Sequence, residues 1–273
     1  MRIAYPGSTG SYTEEAAARL YPDAERIALA DFEEVARAAA SGEVDGAVLA
    51  IENSLAGLVP ETLSIIERGE LSIVAEAVIH IPHLLAGVPG ARLEDVRIVH
   101  SHPMALAQCR AALSGYERVG ASTTSDAARH VAQLGDRSVA AVASPLAARQ
   151  NGLDVLLDDV SDHPENLTRF AALARYLRLD HDDSYPWSTA LRMITGHEPG
   201  SLHAAIEPFR YHRVNMTSLH SRPIMGQPWR YQFYVEIEGH RADASVRRAL
   251  RDVGDRTPFL ETLGSYPVWR DPA

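Results

Sequence analysis

Between an acidic loop, Asp158-Asp159-Val160-Ser161-Asp162, and a hydrophobic run opening at Phe170, the chain carries His163-Pro164-Glu165-Asn166-Leu167-Thr168-Arg169. An amide, a hydroxyl and a guanidinium are thus crowded at the entrance of a buried strand expected over 170–177. These groups can hydrogen-bond an anionic substrate and set a proton donor beside it. The same residues also make an ordinary turn in which a β-branched threonine opens a strand.

Other polar groups recur at comparable places. Gly7-Ser8-Thr9-Gly10-Ser11 follows one apolar run, Glu52-Asn53-Ser54 with Gly57 another, and Ser101-His102-Pro103 a third. Ser144-Pro145 follows a fourth, and Ser122-Thr123-Thr124-Ser125 precedes an amphipathic stretch. Each is a good helix start on its own, because Ser and Thr are favoured N-caps. Together they put hydroxyls, amides and glycines where strand ends meet helix N-termini, the ligand crevice of an open α/β sheet. Unpaired N–H groups there attract anions, so the expected ligand is a small polyanion such as a dicarboxylate.

The positioning elements follow from periodicity. Strands are expected over 2–5, 46–51, 73–79, 97–100, 138–143 and 170–177, and helices over 12–20, 31–41, 60–68, 103–113, 124–133 and 145–151. That alternation predicts an α/β fold. Ser11 with Glu14 forms a capping box and Asp31 with Glu34 a close variant, while Pro60, Pro103 and Pro145 suit first helical turns. Residues 179–187, acidic and broken by Pro186, read as a linker. Beyond it come strand 188–195, helix 200–209, strands 212–222 and 229–238, helix 243–253 and strand 258–265. This β-α-β-β-α-β order is the ferredoxin-like plan, whose open sheet edge invites pairing with another copy.

Composition excludes several classes. A net charge of −10 argues against nucleic acid or an anionic membrane as the main partner. With Cys109 alone there is no intrachain disulfide, and its helical context suits a core residue better than a nucleophile. His80 and His83 flank Ile81-Pro82 without the further ligands a zinc site needs. Gly7-Ser8-Thr9-Gly10 lacks the lysine of a phosphate-gripping loop, and no Gly-x-Ser-x-Gly elbow occurs. The chain opens on Arg2-Ile3-Ala4-Tyr5 with neither a signal-peptide pattern nor eighteen consecutive apolar residues, so a cytoplasmic location is expected.

Taken together, these residues resemble the prephenate dehydratases that join a catalytic domain to an ACT regulatory domain. The resemblance rests on Ala4-Tyr5-Pro6-Gly7-Ser8-Thr9-Gly10-Ser11-Tyr12-Thr13-Glu14-Glu15-Ala16-Ala17, on Ile51-Glu52-Asn53-Ser54 with Gly57, and on Ser101-His102-Pro103 and Ala121-Ser122-Thr123. Its most specific element is Thr168-Arg169-Phe170. Farther on, Glu198-Pro199-Gly200-Ser201-Leu202 is similar to the Gly-Ala-Leu loop of ACT domains. Asn215-Met216-Thr217-Ser218-Leu219-His220-Ser221-Arg222-Pro223 is similar to their Glu-Ser-Arg-Pro segment, with His220 in place of the glutamate and His203 where a small apolar residue is usual.

The resemblance implies a two-lobed, periplasmic-binding-protein-like catalytic domain over 1–180 and a ferredoxin-like ACT domain over 188–270. It implies cofactor-free, metal-free conversion of prephenate to phenylpyruvate, with Thr168 catalytic and Arg169, Phe170, Asn53, Ser54, Ser101, Ser122, Thr123 and Asn166 binding substrate. It also implies phenylalanine or another aromatic amino acid as effector at Gly200, Ser201, Leu202, Asn215, Met216, His220, Ser221, Arg222 and Pro223, in a homodimer or homotetramer. Arogenate dehydratase, a prephenate decarboxylase and a non-catalytic small-acid binding protein are the competing readings. Thr168 and the second module count against the decarboxylase.

Overall fold

The computed structural model describes residues 1–163, 165–176 and 185–270, so Pro164 and most of the expected linker lie outside the described residues. Two compact units emerge: Met1–Leu63 with Ala77–Phe170, and Ser64–Glu76 with Ala171–Arg270. The division therefore runs through three elements rather than at the linker. Those elements are α3 (Pro60–Glu67), β5 (Ser72–His80) and β11 (Leu167–Ala174).

The first unit holds two sheets. The larger has the order β5-β11-β3-β1-β2, with β1 at Arg2–Pro6, β2 at Glu25–Leu29 and β3 at Gly46–Asn53; short β4 (Gly57–Leu58) folds back on β3. β1 pairs parallel with both β2 and β3, with helices α1 (Tyr12–Leu20) and α2 (Phe32–Ser41) as the crossovers. Ser11 and Asp31 cap these helices as expected, each side chain accepting the N–H of the residue three positions on. Such a cap is worth about 1 kcal/mol.

The smaller sheet runs β10-β6-β9-β7-β8, from β6 (Leu84–Gly87), β7 (Ile98–Ser101), β8 (Glu117–Gly120), β9 (Val139–Ala143) and β10 (Asp154–Leu157). Its helices are α4 (Pro103–Gln108), α5 (Thr124–Leu134) and α6 (Pro145–Gln150). Every residue of β9 is buried, as a strand covered on both faces requires. Val131, Ala141 and Ala148 pack on one face of this sheet, and Leu85, Val99 and Leu113 on the other.

Five strands go beyond the sequence reading: β2, β4, β6, β8 and β10. β2 and β8 are edge strands with largely exposed side chains, and their apolar content is short: Ile27-Ala28-Leu29 in β2 and Val119 alone in β8. β6 is buried but only four residues long, between Pro82 and Pro89. Weak side-chain patterns are sufficient in such places because backbone pairing supplies the order. Helix α4 also stops at Gln108 instead of 113. The Asp162 carboxylate takes the N–H groups of Arg110 and Ala111 at 2.8 and 2.9 Å, diverting the chain from the helix.

In the second unit the order is β12 (Trp187–Ile194), α7 (Ser201–Tyr211), β13 (Met216–Pro223), β14 (Tyr231–Glu238), α8 (Ala244–Gly254) and β15 (Phe259–Arg270). This is the expected β-α-β-β-α-β plan, and its sheet runs β13-β14-β12-β15-β5. Both helices cover one face, where Leu191, Met193, Phe209, Val235, Ile237 and Val253 form the core. On β15, Gly264 is dictated by proximity: a Cβ there would lie 2.2 Å from the Ile73 carbonyl oxygen of β5.

Candidate active site

A cavity of about 460 Å³ opens in the first unit where strands of both sheets end. The loop after β1 brings Gly7, Ser11 and Tyr12, and the end of β3 brings Asn53. From the smaller sheet, His102 and Gln108 follow β7, and Ser122 and Thr123 follow β8. Asn166, Thr168 and Phe170 complete the wall from β11 and its approach. The expected carboxyl-edge crevice is therefore present.

Six residues expected at a substrate site line it: Asn53, Ser122, Thr123, Asn166, Thr168 and Phe170. Three do not. Ser101 is wholly buried and donates its hydroxyl to the Val142 carbonyl at 2.7 Å. Ser54 binds β11 instead: its N–H donates to the Leu167 carbonyl, its Oγ accepts the Leu167 N–H, and its hydroxyl donates to the Glu165 carbonyl. Arg169 is turned away by strand alternation, because Thr168 and Phe170 occupy one face and residue 169 the other. Its guanidinium donates to Glu52 at 2.7 Å. Ser144, the other capping hydroxyl, acts beside the cavity by donating to the Gly10 carbonyl at 2.8 Å. A side chain at Gly10 would meet the Ala147 backbone at 2.9 Å, and its φ of +88° also favours glycine.

A directed hydrogen-bond chain runs through the lining. The Asn53 Oδ1 accepts the backbone N–H groups of Leu55 and Ala56 at 3.0 and 2.9 Å. That fixes the amide orientation, so Nδ2 must be the donor. It donates to Thr168 Oγ1 at 2.9 Å and to Asn166 Oδ1 at 2.7 Å. Asn166 Nδ2 in turn donates to Gln108 Oε1 at 3.2 Å. Gln108 Oε1 also lies 3.0 Å from His83 Nε2, which must then carry the ring hydrogen.

Two consequences follow from that polarity. Since Thr168 Oγ1 accepts from Asn53, its own proton is left for a cavity ligand, and no acceptor for it occurs among the described residues. Burial lowers the pKa of His83, so the ring is neutral and its Nδ1 is an unpartnered acceptor.

At the opposite wall, Thr123 caps α5 by accepting the Asp126 N–H at 2.9 Å, and Ser122 donates to the Asp126 carboxylate. Burial raises the Asp126 pKa, but the hydrogen bonds from Ser122 and Thr123 and the charge of Arg129 together bring it below the ordinary value. Cys109 is fully buried, and burial followed by Asp162 and Asp159 pushes its thiol up to about 12, which makes it a core residue.

Sequence reasoning missed Gln108, His83, His102 and Tyr12 as lining residues. His83 drew attention only as a metal-ligand candidate, whereas Gln108 gives no signal of its own inside a helical pattern.

The expected effector residues are arranged differently. Gly200, Ser201 and Leu202 line a pocket of about 430 Å³ formed by Thr195–His203, and Gly200 has a φ of +84° at the start of α7. Asn215, Met216, His220, Ser221, Arg222 and Pro223 do not line it. Arg222 donates to Glu67 Oε1 at 3.0 Å and Gln232 donates to the same oxygen at 2.9 Å. Tyr234 also donates there, and burial raises the pKa of its hydroxyl.

Among known proteins, residues 3–177 match the family model described as prephenate dehydratase. The chain is 34% identical to arogenate dehydratase/prephenate dehydratase 1, chloroplastic, of Arabidopsis thaliana, over 98% of this chain and 72% of that one. A solved prephenate dehydratase in complex with L-Phe from Arthrobacter aurescens aligns with a TM-score of 0.87 and 30% identity, covering 98% of this chain and 90% of that one. A solved protein described as GqqA, a novel type of quorum quenching acylase, aligns with a TM-score of 0.89 and 34% identity, covering 98% of each chain.

Proposed function

We infer that this chain, which belongs to the prephenate dehydratase family, converts prephenate to phenylpyruvate as a carbon–oxygen lyase of phenylalanine biosynthesis. The observation that carries the site assignment is the Thr168 hydroxyl, which receives a hydrogen bond from Asn53 and keeps its own proton for the cavity.

In the reaction the ring carboxylate leaves as carbon dioxide. Its bonding electrons enter the ring as the C4–oxygen bond breaks, and the departing hydroxide acquires a proton to become water. Aromatisation drives the process, and no redox or carbanion-stabilising group is required. Thr168 is a weak acid in bulk water, so its role is to donate a hydrogen bond to the leaving oxygen as negative charge grows there. Asn53 orients it. Phe170, only 3% exposed and on the same strand face, supplies an apolar wall for the ring. Asn166, Ser122 and Thr123 complete the polar lining. A less polar setting suits the carboxylate that departs, because carbon dioxide is neutral.

The second unit is the regulatory module of this reading, an ACT domain that takes phenylalanine. Its support is the β-α-β-β-α-β topology and the relative described as an L-Phe complex. Gly200, Ser201, Leu202, Asn215, Met216, His220, Ser221, Arg222 and Pro223 are its effector residues, in a homodimer or homotetramer. The enzyme is cytoplasmic in this reading; no helix among the described residues is long and apolar enough to cross a membrane.

The GqqA relative is described as an acylase, but the buried Cys109, whose thiol pKa is pushed up by burial, supplies no nucleophile for acyl transfer here. Purified enzyme given prephenate decides the main reading. Phenylpyruvate formation supports it, and no product above the spontaneous rate removes it.

A further inference from the structure

Prephenate carries two carboxylates, yet no Lys or Arg is among the described residues that line the cavity. The lining therefore offers no fixed cation to the dianion, and several of its side-chain donors are already engaged. Ser122 donates to Asp126, the Asn53 amide donates to Thr168 and to Asn166, and the Asn166 amide donates to Gln108. His102 is different. Its Nδ1 accepts the Met104 N–H at 3.2 Å, so the ring itself caps α4. That bond places the ring hydrogen on Nε2. The side chain is exposed, lines the cavity, and has no acceptor for Nε2–H among the described residues.

We propose that His102 is a substrate-binding residue whose Nε2–H donates to a carboxylate of the bound dicarboxylate, with the helix cap holding the ring in the donor tautomer. Arg169, which the sequence offered for this task, faces Glu52 on the other side of the strand. The proposal rests on prephenate as substrate. It adds a residue that takes part in holding the substrate and leaves the proton-donor role with Thr168.

The discriminating variant is His102→Asn, because an asparagine oxygen can still cap the helix while the ring donor is lost. Prephenate binding is measured by calorimetry in a Thr168→Ala background, with and without His102→Asn, beside turnover of the wild-type enzyme. Loss of one hydrogen bond to a charged group predicts roughly ten- to hundredfold weaker binding. The melting temperature of His102→Asn stays near that of its parent, and His102→Ala, which also lacks the cap, binds as weakly as His102→Asn but melts lower. Equal affinity in the His102→Asn pair overturns the proposal and leaves His102 a cap only. Failure of the wild-type enzyme to turn over prephenate overturns the functional reading instead, independently of the affinity comparison.

Discussion

Asn53 and Thr168 are 115 residues apart in sequence and meet at 2.9 Å, whereas Arg222, far closer along the chain to Gly200, does not line the pocket at Gly200. The candidate active-site cavity is lined by residues of one unit. The segments of the second unit expected to bind an effector are split, with Gly200–Leu202 at a loop pocket and Arg222 in a polar cluster around Glu67. Chemistry that must align a proton donor needs a wall fixed in advance. Regulation can use a site whose halves remain apart until something brings them together.

The sharpest way to break this contrast is Thr168→Ala. Turnover of prephenate should fall by about 10²–10⁴-fold, while calorimetric binding of phenylalanine is retained. Near-normal turnover in the folded variant would remove Thr168 from the mechanism. Next comes Asn53→Asp, which replaces the donating amide with an acceptor and turns the Thr168 hydroxyl inward. A loss on the order of 10²-fold in kcat is expected, and a steady-state assay showing less than a twofold change would disprove the directed chain.

On the regulatory side, Arg222→Ala should weaken phenylalanine binding roughly tenfold. Unchanged calorimetry would separate the Glu67 cluster from effector recognition. Smaller still is a pH effect. His83 is held neutral by burial, with its folded pKa below the ordinary 6.5, so the unfolded chain binds the extra proton first. Its contribution is complete above that value and is lost as pH falls toward the folded pKa. Thermal melts from pH 7 downward should show this loss, and it should be reduced in His83→Asn. Least of all, Ser101→Ala should cost about 1 kcal/mol of stability and leave turnover within twofold. A large activity loss would return Ser101 to the site.

The parts of the site that lie on strong local patterns were legible in the sequence. The capping boxes, the proline-opened helices and the alternating apolar runs fixed most elements, and Asn53, Ser122, Thr123, Asn166, Thr168 and Phe170 all reached the cavity. What stayed hidden depends on facing. β11 begins at Leu167, three residues before its apolar run, and only that register shows Arg169 pointing away from Thr168. Ser101 sits at a strand end beside the cavity, but its side chain points into the core, which type and spacing cannot reveal. Gln108 becomes informative only when Asn166 and His83 meet its carbonyl oxygen.

Ser54 touches no substrate wall, yet its three bonds to residues 165–167 act as a pawl on the strand that follows. A slip of one tooth would swing the guanidinium inward and send the hydroxyl out. A single deletion on the strand side would therefore misplace the Thr168 hydroxyl and the buried run from Phe170 to Ala174 together.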